Sequence, residues 1–218
     1  MKKIIQIILA IVFLQACGDA TLDPNSNSKR SAKDEIVPLS IGNYWKYNCV
    51  SIDSFNNNSY SLYESISKDT LIKGNQYYIL NGMYVIANKD YKYFQICFND
   101  STGFKRVDYD SITYYEALYP SRIGDTFKNR FARYSYVVNN NVKITTKAGT
   151  FICYNYQQND TVSVTDNTGQ VKGKYHMYTD LYYSVGIGLI KIKFSLLTLD
   201  TKLPFGEGSK ELIEYKVN

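Results

Sequence analysis

The chain carries one histidine, His176, in the stretch Lys174-Tyr175-His176-Met177-Tyr178. A catalytic base needs a Ser or Cys nucleophile beside it and an acid to orient it, and no pattern in the sequence marks either. A zinc site would have to join this histidine to scattered thiols or carboxylates, without any paired ligand spacing. Neither a metal nor a cofactor is expected. Besides Cys17, the thiols are Cys49, Cys97 and Cys153. Each falls within a predicted strand beside aromatic or aliphatic residues. They read as small buried hydrophobes or as one disulfide plus a spare, with no preferred pair.

Carboxylates offer the other route to catalysis, because glycoside hydrolysis needs two at a defined separation. Asp108 and Asp110 would share a face if a strand runs through Tyr109, and Asp100, Glu116 and Asp180 are further candidates. Acids at strand ends more often serve as solvated turn residues. An envelope hydrolase is therefore the alternative reading, and no catalytic residue is assigned. Gly186-Ile187-Gly188 does not lead into a helix start with Lys-Ser/Thr, so it is not read as a phosphate loop.

Tyrosine is the more informative residue, at 22 of 218 positions. In extended chain, Tyr77-Tyr78, Tyr114-Tyr115 and Tyr182-Tyr183 each put one ring on either face. Rings left outside, interleaved with Asn and Lys, suit sugar stacking or a protein partner. These six tyrosines are the candidate ligand-facing aromatics. A composition rich in Lys, Asn, Ile and Tyr is the competing source of the same excess.

The elements that must position these residues are strands. Ile190, Ile192, Phe194 and Leu196 alternate with Lys191, Lys193 and Ser195; Ile213, Tyr215 and Val217 oppose Leu212, Glu214 and Lys216; Phe94, Ile96 and Phe98 alternate with Tyr93, Gln95 and Cys97. Further strands are expected at 44–53, 59–68, 76–80, 83–88, 103–109, 131–138, 142–147, 150–158, 161–165 and 172–178. Lys73-Gly74-Asn75, Asn81-Gly82, Ala148-Gly149 and the Asn-rich stretches at 56–58, 139–141 and 167–169 read as the turns between them. The expected fold is all-β: a single antiparallel domain of about a dozen short strands, as a sandwich, an open barrel or a strongly curved sheet. A short helix is expected near 179–185. Pro38 to Trp45 also echoes Tyr119 to Phe127, each with Gly-Asn/Asp leading to an aromatic, as two similar β modules would.

The N-terminus reads as an address. Met1-Lys2-Lys3 precedes the apolar run Ile4 to Leu14. At about 1.5 Å per residue such a helix covers roughly 16 Å, about half of a bilayer core, which suits a secretory h-region better than a membrane span. Leu14-Gln15-Ala16-Cys17 resembles the lipobox of bacterial lipoproteins. That resemblance implies cleavage before Cys17 and lipid attachment to its sulfur. The expected layout is a signal peptide at 1–16, a lipidated flexible tether at 17–36 and the β domain at 37–218. Losing Lys2 and Lys3 lowers the formal net charge from +5 to +3. So mild an excess is no case for nucleic acid.

Val37-Pro38-Leu39-Ser40-Ile41-Gly42-Asn43-Tyr44-Trp45-Lys46-Tyr47, then Ala148-Gly149-Thr150-Phe151, then Val185-Gly186-Ile187-Gly188-Leu189-Ile190-Lys191 resemble, in this order, a set of small Bacteroidetes-type lipoproteins. The resemblance spans roughly 37 to 193. It implies a β fold and an outer-membrane lipid anchor, at the periplasmic face or the cell surface, and no catalytic residues. Asp69-Thr70-Leu71, Asp110-Ser111-Ile112 and Asp160-Thr161-Val162 look like the O-glycosylation acceptor pattern of exported proteins in that group. The functional expectation is a noncatalytic module. It would hold the membrane through its acyl chains and bind a glycan, a lipid or an envelope protein. A structural subunit of an envelope complex is the further alternative. The sequence leaves the oligomeric state open.

Overall fold

The computed structural model describes residues 34–53, 57–86, 89–108, 110–129, 133–165, 170–199 and 204–218. The signal peptide, Cys17 and most of the tether lie outside them. Twelve strands follow one another: β1 (Tyr44–Asp53), β2 (Asn57–Ile72), β3 (Asn75–Ile86), β4 (Lys89–Asp100), β5 (Gly103–Val107), β6 (Thr113–Leu118), β7 (Thr126–Lys128), β8 (Tyr134–Thr146), β9 (Gly149–Thr165), β10 (Val171–Ser184), β11 (Gly188–Thr198) and β12 (Pro204–Lys216). They form one antiparallel sheet in the order β6-β5-β4-β3-β2-β1-β12-β11-β10-β9-β8-β7. The sheet curls until its two edges, β6 and β7, come near one another, which gives a nearly closed barrel. The all-β expectation holds, and the barrel is the form it takes.

Period-two alternation drives one set of side chains inward. On β1 the inward residues are Trp45, Tyr47 and Cys49, all buried. Tyr47, Tyr156, Tyr183, Ile190 and Leu212 are among the largest fully enclosed side chains. Their rings interlock edge to face: Phe127 on Tyr156 at 5.6 Å and Tyr156 on Tyr183 at 5.8 Å.

Residues 34–43 close one end. The packed body reaches back to Glu35 and Ile36, where Ile36 is buried and the Glu35 carbonyl accepts from Gly186 N at 2.7 Å. Asn43 is fully enclosed. Its Nδ2 donates to Pro38 O at 2.8 Å and its Oδ1 accepts from Asn218 N at 3.0 Å, so one side chain joins the first strand to the last.

Several local expectations are corrected. No helix forms near 179–185; these residues complete β10, where Thr179–Ser184 pair with β11 and Thr179–Tyr183 also with β9. Asn81-Gly82 is not a turn but the middle of β3. A Cβ on Gly82 would lie 2.0 Å from the Tyr93 ring, so glycine is needed there for packing across the β3–β4 ladder. Asn139-Asn140-Asn141 is a bulge inside β8, where the register against β9 shifts. The expected pairs 76–80/83–88, 131–138/142–147 and 150–158/161–165 thereby merge into β3, β8 and β9. The turn at Lys73-Gly74 does form, with φ of 50° and 80°, and so does the one before Gly149. The stretches at 56 and 167–169 lie outside the described residues.

Candidate functional site

Two places on the barrel gather polar and aromatic groups. The first is inside. Glu64 on β2 is only 4 % exposed, and its carboxylate accepts from Tyr93 Oη at 2.6 Å and from Lys210 Nζ at 3.0 Å. Lys210 also lies 4.0 Å from the centre of the Tyr47 ring. Burial alone would push Glu64 up. Lys210, Arg106 and the two hydrogen bonds outweigh it and hold the carboxyl below its ordinary range. The same burial and the adjacent Glu64 raise the Tyr93 hydroxyl far above a free phenol. Arg106 bonds Gln95 and lies 3.7 Å from Glu116, so charge inside the barrel is balanced locally. The cavity beside this group, lined by Trp45, Tyr47, Glu64, Phe104, Arg106 and Tyr183 among others, measures about 20 Å³. That is room for a single water and not for a lipid chain.

The second place is outside, across β12, β1, β2 and β3. A groove of about 460 Å³ is lined by Tyr44, Lys46, Tyr63, Met83, Val85 and Glu214. The register builds it: Lys46 sits between Glu214 and Tyr63, and Tyr63 faces Met83. The Tyr44 and Tyr63 rings stack at 5.6 Å and 28°. Tyr44 Oη donates to Glu214 Oε1 at 2.8 Å, and that bond raises the phenol's pKa. Tyr63, Met83 and Val85 are exposed, and Phe94 beyond them is 57 % exposed. Phe94, Ile96 and Phe98 therefore share the outer face, while Cys97 of the opposite set is buried.

The six tyrosines singled out from sequence fall elsewhere. Tyr114 and Tyr183 are buried, and Tyr77, Tyr78, Tyr115 and Tyr182 are half-buried. Tyr77 packs on Phe98, Tyr115 carries Lys105 over its ring at 4.3 Å, and Tyr183 belongs to the core. Each pair does split between faces, yet the exposed tyrosines are Tyr63, Tyr91, Tyr134 and Tyr136. The singletons were passed over because doublets drew the eye; their signal was alternation with Ser and Lys.

The candidate acids are held in local roles. Asp108 follows the end of β5 and accepts from Asp110 N and Ile112 N, so it caps a turn and no strand face carries it together with Asp110. Asp100 bonds Thr102 and Lys105, and the hydrogen bonds from both residues pull its carboxyl down against the effect of burial. Asp180 accepts from Asn155 and Gln157, and Glu116 pairs with Arg106. His176 lies on β10 near Tyr178. Cys49, Cys97 and Cys153 are free and buried.

No family model matches the chain, and no curated protein does. Two solved structures share its fold. One is a protein from Bacteroides fragilis assigned as exported, with a YmcC-like fold: 13 % identity, TM-score 0.58, covering 83 % of this chain and 98 % of that one. The other is assigned as a lipoprotein from Parabacteroides distasonis: 12 % identity, TM-score 0.54, covering 84 % and 99 %. At such identities the likeness is one of architecture: this chain has the barrel seen in those two proteins.

Proposed function

We propose that the chain is an exported lipoprotein moored to the outer membrane by acyl groups on Cys17, and that its barrel is a noncatalytic module binding a glycan in the outer groove at Tyr44 and Tyr63. The observation that carries this reading is the contrast between the two spaces. Small-molecule sites generally occupy about 300–1,000 Å³; the outer groove, at about 460 Å³, falls in that range, and the inner cavity of about 20 Å³ does not. Tyrosine rings offer an apolar face to the C–H side of a sugar, and Lys46, Ser61 and Glu214 supply hydrogen bonds at the rim. The lipobox resemblance and the assignments of the two structural neighbours support an envelope setting.

Retention of the purified chain on immobilised peptidoglycan strands and on envelope polysaccharide tests it. Tyr63→Ala should cut retention about tenfold. Equal retention by the variant, or none by the unaltered protein on either matrix, rejects the glycan reading. An envelope protein as ligand is favoured by one observation, the exposed Phe94 next to the groove; affinity capture from solubilised envelopes distinguishes it.

A further inference from the structure

The echo between Pro38–Trp45 and Tyr119–Phe127 is matched bond for bond. Gly42 and Gly124 take φ of 88° and 93°. Asn43 N donates to Ser40 O and Asp125 N to Arg122 O, both at 3.0 Å. Gly42 N bonds Ile66 O and Ile66 N bonds Asn43 O; Gly124 N bonds Val137 O and Val137 N bonds Asp125 O, all within 2.8–3.0 Å. Trp45 and Phe127 follow at the same place on β1 and β7, and both are buried. The leading segments also cross over. Glu35 O receives Gly186 N, in the turn between the fourth and fifth strands of the second half, and Tyr119 N donates to Thr102 O, in the turn between the fourth and fifth strands of the first. The barrel is thus two six-stranded halves, β1–β6 and β7–β12, arranged head to tail.

Two such halves meet at two equivalent seams, and the seams differ. At one, β12 and β1 are zipped by a ladder running from Tyr44↔Lys216 to Asp53↔Gly206. At the other, β6 and β7 share no strand pairing among the described residues, because β7 is three residues long. Side chains close it instead. Tyr156 Oη donates to Leu118 O at 2.5 Å, Tyr115 meets Phe127 at 6.1 Å, and Tyr119 meets Tyr154 at 5.6 Å.

We infer that the barrel opens at the β6–β7 seam, as a gate hinged on the zipped β12–β1 seam. A backbone ladder must break many hydrogen bonds together, whereas this seam parts when one hydroxyl and a few ring contacts let go. Opening there would bring water to Arg106, whose neighbour Glu116 lies on β6 itself. The gate is independent of what the outer groove binds.

Hydrogen exchange followed by mass spectrometry on the full chain tests it. Amides that bond β6 to β5 and β7 to β8 should exchange at least tenfold faster than those that bond β1 to β12. Tyr156→Phe removes only the hydroxyl and should speed exchange in β6 and β7 about fivefold, the equivalent of one hydrogen bond, leaving β1 and β12 unchanged. Equal protection at both seams overturns the gate. So does a Tyr156→Phe effect spread evenly around the barrel.

Discussion

Trp45 Nε1 donates a hydrogen bond of 2.6 Å to the carbonyl of Ile187, 142 residues further along the chain. The first and last of the three sequence markers are therefore two sides of one contact. Gly188, at φ +104°, completes it: a Cβ there would sit 3.5 Å from Val37 and 3.6 Å from Trp45 Nε1. Trp45→Phe should destabilise the barrel by about 1–3 kcal/mol, because the Ile187 carbonyl loses its buried donor. Gly188→Ala should cost a similar amount, about 1–3 kcal/mol, through backbone strain. Urea denaturation measures both, and a loss below about 0.5 kcal/mol in either would refute this account.

Lys210→Met leaves Glu64 enclosed without its cation and should cost roughly 3–5 kcal/mol, whereas Lys210→Met combined with Glu64→Gln should recover much of that loss. A double-mutant cycle by thermal or chemical denaturation reads the coupling.

The same carboxylate sets an acid limit. Glu64 is held below its ordinary value of 4.5, so its contribution is complete above that pH and is lost as pH falls through the lower folded value. Stability should fall on the acid side, and Glu64→Gln should flatten that fall. An unchanged acid slope in the variant would remove Glu64 as its source.

Burial raises the thiols of Cys97 and Cys153 to about 12 and pushes Cys49 up as well. At pH 8 all three should resist a thiol reagent in the folded protein and react in denaturant. Loss of any two titratable thiols after unfolding would mean a disulfide.

Thr70, Ser111 and Thr161, the hydroxyls of the three Asp-Ser/Thr-apolar triplets, are all exposed. Native protein should show hexose-spaced mass increments that disappear with the triple alanine variant. A bare intact mass counts against modification.

The lipid anchor is tested by metabolic labelling with an alkynyl fatty acid. Label should depend on Cys17, and Cys17→Ser should move the protein out of the membrane fraction.

Strand content, the Lys73-Gly74 and Ala148-Gly149 turns, and the alternation of Ile190 with Lys191 were legible because each depends on residues close together in the chain. So was the echo of Pro38–Trp45 in Tyr119–Phe127. What periodicity could not convey is which face looks inward. Phe94, Ile96 and Phe98 read as a core stripe and lie outside, while Tyr93 and Cys97 face the interior, because β4 takes its orientation from its register with β3 and β5. Gly82 was misread for the same reason, since the Tyr93 ring that requires it arrives from another strand. The enclosure of Glu64 depends on Lys210, 146 residues away. Local chemistry, then, determined that this chain forms strands and where several of them turn. Only closure of the sheet, through the long-range β1–β12 pairing, decided which side chains became core, which formed the groove and which edge was left unzipped.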